Sequence, residues 1–175
     1  MADPAAGAMA AAFVRSGDSV AVGPGTRSVV SALISRRDLS NVTVHTESLS
    51  LTALFRGQED RFTVIVPPGL LSPSMTVIPE RDHHISVELA LIGCSGITAD
   101  GVQARTELAA SAGRRATLSG CRVVAVVMPG SAAPSSESHL ISSLDLVDAC
   151  ITSERLPDEL VGSLRANGLR LFITS

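Results

Sequence analysis

Lysine is missing from this sequence. All 14 basic side chains among its 175 residues are arginine. That excludes Schiff-base catalysis and a lysine clamp on phosphate. Tryptophan and tyrosine are missing too, which leaves four phenylalanines. A platform for stacking nucleic-acid bases is therefore excluded, and the core must be built from Val, Leu, Ile and Ala. Neither sign of charge prevails. The net charge is −3 and the arginines are scattered, so no basic face is set up to grip nucleic acid. Cysteine is scarce: Cys94, Cys121 and Cys150 stand apart, each beside an apolar run. They read as reduced, buried core thiols rather than metal ligands or a nucleophile. No run approaches the ~20 apolar residues that cross a bilayer. The first 12 residues lack the basic start and long apolar run of a signal peptide. The expectation is a cytoplasmic protein with no membrane partner.

What is present is apolar and regularly punctuated. Hydrophobic residues make up 45% of a chain long enough for one full-sized core. The most informative stretch is residues 18–33, DSVAVGPGTRSVVSAL. A short β-branched strand is broken by Gly23-Pro24-Gly25. A helix then opens at Thr26, Arg27 and Ser28, with Val29, Val30, Leu33 and Ile34 at helical spacing. Such a turn aims free backbone N–H groups and the positive end of the helix dipole at one spot, which favours an anion. Arg27 is a cation in a first helical turn, where the dipole disfavours it. It either meets a bound anion there or points into water. This is not a dinucleotide fingerprint, because the third glycine of G-x-G-x-x-G is absent.

The rest of the chain repeats strand, turn and helix. Helices are expected at 5–14, 49–55, 106–118 and 157–166. Strands are expected at 42–45, 62–66, 88–92, 122–128, 146–151 and 169–173. Residues 70–78, which contain Pro73, read as an extended edge or crossover piece. Residues 98–101 read as a turn. Gly113 reads as a weakness within its helix. The alternation predicts an α/β protein, with a largely parallel sheet covered by helices on both faces. In such sheets ligands bind outside the carboxyl ends of the strands. Those ends carry Gly25-Thr26-Arg27-Ser28, Thr46-Glu47-Ser48, Gly69, Gly93-Cys94-Ser95-Gly96 and Gly130-Ser131. Five Gly/Ser/Thr turns on one rim predict a pocket for a small polar ligand. No cofactor or metal is expected. Asp82-His83-His84 reads as a solvated loop rather than a metal site.

Several motifs, in this order, carry a resemblance. Gly23-Pro24-Gly25-Thr26-Arg27-Ser28 stands where a D-x-G-T-T-T turn is usual. Thr46-Glu47-Ser48 stands for T-N-S. PPGLLSPS keeps Gly69 and Pro73 of a G-G-x-x-R-P stretch. LIGCSGI, residues 91–97, stands for L-G-A-S-G-I. A polar turn with Gly101 and a helix with Glu107 follow, and residues 145–175 match a closing strand, helix and strand. The chain thus resembles the C-terminal sensor domain of DeoR-type bacterial transcriptional regulators. The resemblance implies a Rossmann-like three-layer fold, similar to ribose-5-phosphate isomerase, glucosamine-6-phosphate deaminase and CoA transferases. It also implies a small anionic metabolite as effector, a phosphorylated sugar being the family's usual one, together with self-association. Residues 1–175 would be one effector-sensing domain. DNA would be reached only through a winged helix-turn-helix that this chain lacks.

The departures bear on the ligand. The acidic residue that opens the family turn is Gly23, and the Asn of T-N-S is Glu47. Ser72 stands where the family has an Arg before Pro73, and Ser74 where it has a basic residue after it. The D-S-S-K loop has become Pro129-Gly130-Ser131-Ala132, with neither Asp nor Lys. Arg27 and Arg105 are the arginines that could replace those lost anion partners, Arg105 otherwise being an exposed loop charge. Arg27, Thr26, Ser28 and the flanking backbone would hold the anion, Ser48, Ser95 and Ser131 would bond its hydroxyls, and Glu47 would accept from a hydroxyl or amine. An enzyme of the same fold is the alternative, either an isomerase or a CoA transferase. Glu47 and Glu107 are then the only carboxylates near the rim, and Glu107 is the sole candidate nucleophile.

Overall fold

A computed structural model of the chain describes residues 3–81, 85–127 and 138–174. In order its first half runs α1 (Pro4–Ala11), β1 (Ser19–Val22), α2 (Arg27–Ser35), β2 (Val42–His45), α3 (Leu49–Thr52), β3 (Phe62–Ile65), β4 (Gly69–Leu71) and β5 (Val77–Pro79). The second half runs β6 (Leu89–Cys94), β7 (Gly96–Thr98), β8 (Gly101–Ala104), α4 (Glu107–Ser119), β9 (Val123–Val127), β10 (His139–Ser142), β11 (Ala149–Thr152), α5 (Asp158–Ala166) and β12 (Arg170–Ile173).

Seven strands form one sheet in the order β12-β11-β9-β6-β1-β2-β3, and every pairing is parallel. This is the expected α/β architecture. The chain winds outward from β1 to β3, then returns to β6 on the other side of β1. The strand order therefore reverses between β1 and β6, which opens a crevice outside their carboxyl ends. Gly93 closes the base of that crevice. A Cβ there would stand 2.4 Å from the Pro24 carbonyl oxygen, so only glycine lets the end of β6 touch the Pro24-Gly25 turn.

The two faces of the sheet are covered differently. On one face Val20, Val22, Val42, Val44, Leu89 and Leu91 pack against α1 and α2 in a core that reaches β3 through Phe62. On the other, Ala21, Ala90, Ile92, Cys94, Ala125 and Cys150 pack against α4, α5 and a small antiparallel sheet. Neither β2 nor β3 adds a buried residue to this second core. Burial pushes the Cys150 thiol up to about 12 and Cys94 well above the ordinary thiol value.

Several expectations need correction. Residues 98–101 are not merely a turn, because β7 and β8 flank it and pair with each other, and β10 pairs with β8, in the order β10-β8-β7. These strands are three or four residues long and two open with glycine, so no apolar period announced them. Residues 70–78 are no crossover piece but most of the β4–β5 hairpin, a separate two-stranded sheet. The helix expected at 49–55 is α3 followed by a 3-10 turn, Ala53–Phe55. The strand expected at 146–151 starts only at Ala149, after a 3-10 turn at Leu144–Leu146. Cys121 is exposed, because β9 begins two residues later. Gly113 is a packing device: a Cβ there would meet the Ile141 side chain at 2.8 Å, so glycine lets α4 approach β10.

Candidate ligand site

The segment that leaves β2 divides the rim in two. Its backbone is tied to the β4–β5 hairpin: the Val77 N–H donates to the Glu47 carbonyl at 2.7 Å, and the Leu49 N–H to the Met75 carbonyl at 2.9 Å. Ser48 and Thr76 form an antiparallel bridge between these bonds. With its backbone held, neighbouring side chains point to opposite sides. Glu47 lines a cavity against α4, whereas Ser48 lines a cleft beside α2.

The cleft encloses about 330 Å³. Pro24, Gly25 and Arg27 form one wall, Ser48 and Ser50 the second, and Ser74 and Thr76 a third, with Thr106 opposite. Two of its side chains are helix caps. The Ser48 hydroxyl accepts from the Leu51 N–H, and the Thr106 hydroxyl accepts from the Ala109 N–H. α2 differs. Thr26 is fully buried, and its hydroxyl donates to the Gly23 carbonyl at 2.7 Å, so no side chain caps this helix. The N–H groups of its first turn are left for solvent or a ligand. Arg27 stands beside them, exposed, with no ion pair among the described residues.

The cavity encloses about 210 Å³ between β1–β3 and α4. Ala21, Gly23, His45 and Ile65 form the sheet side, and Ala112, Arg115, Ala116 and Ser119 the helix side. Glu47 and Arg115 meet within it as a forked pair. The Nε and one terminal nitrogen of Arg115 each donate to a Glu47 oxygen at 2.6 Å. The other terminal nitrogen donates to the Ser111 hydroxyl at 2.7 Å. Both side chains are mostly covered, which strengthens such charge-assisted bonds. Burial lowers the pKa of His45 and keeps its imidazole neutral at pH 7.

The expected site residues therefore scatter. Gly25, Arg27 and Ser48 line the cleft, Thr46 and Glu47 line the cavity, and Gly93 props the turn between them. Ser28 lies one residue inside α2 and faces α1, lining a shallow groove there. Ser95 and Gly96 turn away into the small sheet, where the Ser95 hydroxyl donates to the Gln103 carbonyl at 3.3 Å. Gly69 opens the exposed hairpin, outside both depressions. Arg105 is exposed just before α4, and it too lines neither depression. Glu107 is exposed and engaged on the far side of α4. It accepts from Arg114 and pairs with His139 at 3.1 Å, and the Arg114 bond above all lowers its pKa. Gly130, Ser131 and the Asp82-His83-His84 loop lie outside the described residues.

Sequence reasoning missed His45, Ser74, Thr76 and Arg115, and took Thr106 only for a cap. Arg115 carried a usable signal: Ala112, Arg115, Ala116 and Ser119 share one helical face, where an arginine among small residues needs a partner.

No curated protein matches the chain. The family model of the DeoR C terminal sensor domain matches residues 4–154. Ribose 5-phosphate isomerase from Plasmodium falciparum superposes with a TM-score of 0.51 at 12% identity, over 75% of this chain and 54% of that one. The eIF2B beta structure from Chaetomium thermophilum gives a TM-score of 0.51 at 17% identity, over 83% of this chain and 48% of that one. At such identities the likeness is one of fold. The chain spans about half the length of either. No helix among the described residues is long and apolar enough to cross a membrane.

Proposed function

The chain belongs to the DeoR C-terminal sensor domain family, and from that premise we propose that it senses a small anionic metabolite in the cleft beside α2. One observation carries the reading: the uncapped first turn of α2 and Arg27, which has no ion pair among the described residues, share a wall of that cleft. Free N–H groups, the helix dipole and a guanidinium all favour phosphate or carboxylate. Ser48, Ser50, Ser74, Thr76 and Thr106 supply hydroxyls around it, as a sugar phosphate requires. The protein acts in the cytoplasm as part of a transcriptional regulator. Ligand binding shifts the arrangement of self-associated subunits, and DNA is contacted by another domain.

A catalytic role gains no support from Glu107. Its carboxylate is engaged by Arg114 and His139 rather than aimed into the cleft. A thermal-shift screen of sugar phosphates, free sugars and small carboxylates tests the reading. Sugar phosphates should raise the melting temperature in proportion to the logarithm of their concentration. Arg27→Ala should weaken binding about tenfold or more, the loss of one charge-assisted contact. Absence of any shift, with Arg27→Ala silent in a reporter assay of the intact regulator, would overturn it.

A further inference from the structure

We propose that the cavity between β1–β3 and α4 is a second ligand site, built for a compact, uncharged molecule with an apolar body and one hydroxyl group. The space exists because small residues oppose one another. Ala21 and Gly23 on the sheet face Ala112 and Ala116 on α4, where larger side chains fill the same layer elsewhere. A depression lined so largely by apolar side chains admits an apolar guest. Its roof is preformed. Pro67, Pro68 and Pro79 close it from above, and proline backbones lose little freedom on binding. Ile65, 43% exposed, marks the side open to solvent.

Among the described residues, the polar groups of the cavity select against charge. Glu47 and Arg115 already neutralise each other through two bonds of 2.6 Å. A second anion would face the Glu47 carboxylate, and a second cation the Arg115 guanidinium, each without a counterion of its own. Burial holds the His45 imidazole neutral, and its ring nitrogens make no hydrogen bond among the described residues. A neutral imidazole offers one donor and one acceptor, and Glu47 retains free lone pairs. One hydroxyl on an otherwise apolar guest satisfies this set. The site is distinct from the cleft in wall and in chemistry. The two share Pro24 and the segment that carries Glu47 and Ser48, so they are neighbours across one strip of backbone.

Phenol is the probe. Its titration into the isotope-labelled chain, followed by methyl and amide NMR, should give saturable shifts at Ile65, Ile85, Ala112 and Ala116. Benzoate, matched in size but charged, should bind those sites at least tenfold more weakly. Ala116→Leu should fill the void, keep a dispersed spectrum and weaken phenol binding at least tenfold. His45→Leu should weaken phenol but leave toluene unaffected, and His45→Gln should restore phenol binding. Arg27→Ala should leave phenol binding unchanged. Linear, unsaturable shifts would overturn the proposal. So would benzoate binding as tightly as phenol, or phenol binding unaltered by both Ala116→Leu and His45→Leu.

Discussion

The half of the sheet formed by β6, β9 and β11 and the half formed by β2 and β3 solve the same problem differently. The first is buried on both faces. Its strands are continuous apolar runs, LALIGC and VVAVV, and nearly every residue in them is inaccessible. The second is buried on one face only. Val42 and Val44 of β2 are covered, while Thr43 and His45 are half-buried on the side towards α4. Of the nine exposed large hydrophobics among the described residues, Ile65 lies on β3, and Leu70, Leu71, Met75 and Ile78 lie on the β4–β5 hairpin that follows it. The lesson is a division of labour. The doubly covered half is close-packed and supplies stability. The singly covered half leaves room, and the cavity and one wall of the cleft are built from it.

Three measurements probe that contrast, in falling order of effect. Core truncation should differ most. Leu91→Ala, fully buried in the first half, should cost about 2–5 kcal/mol in denaturant unfolding. Ile65→Ala in the second should cost less than about 1 kcal/mol. Similar losses at the two positions would dissolve the distinction. Next comes Glu47→Gln, which removes the carboxylate that Arg115 grips across the cavity. A loss of about 1–3 kcal/mol is expected by chemical unfolding, typical of a hydrogen bond to a charged group. A neutral result would show that the pair does not brace the singly covered half.

The smallest effect is a pH dependence. Burial lowers the His45 pKa, so the unfolded chain binds that proton more readily than the folded one. Stability should therefore be at its plateau above the unfolded value of roughly 6.5 and should decline as pH falls through it towards the folded value. Glu47 and Arg115 share the cavity with His45, and their mutual pairing leaves burial as the cause of the shift. His45→Gln should flatten the stability profile between neutral and mildly acidic pH. An unchanged slope would place His45 in water.

Much of this architecture could be read from residue order. The Gly23-Pro24-Gly25 break, the β-branched runs and the small-residue helix starting near Thr106 fixed a parallel sheet and its rim, because turn chemistry and apolar period are local properties. The contrast between the two halves is written in alternation in VTVH against unbroken runs in LALIGC, but the regular order of strand and helix led instead to the expectation of helices on both faces. The β7, β8 and β10 strands were not legible. GIT and GVQA are too short to show a period, and their pairing makes them strands.

The site was legible as a list and illegible as a geometry. Sequence alone put hydroxyls, Glu47, Arg27 and Glu107 near one rim, since each follows a strand or opens a helix. Only the tertiary structure decided which of them face one another. It placed Glu47 against Arg115, 68 residues away, turned Glu107 towards Arg114 and His139, and spent the Thr26 hydroxyl on its own turn. The reason is physical. A turn's backbone is set by its own residues, whereas the direction of a side chain leaving it is set by what packs against that turn from distant parts of the chain.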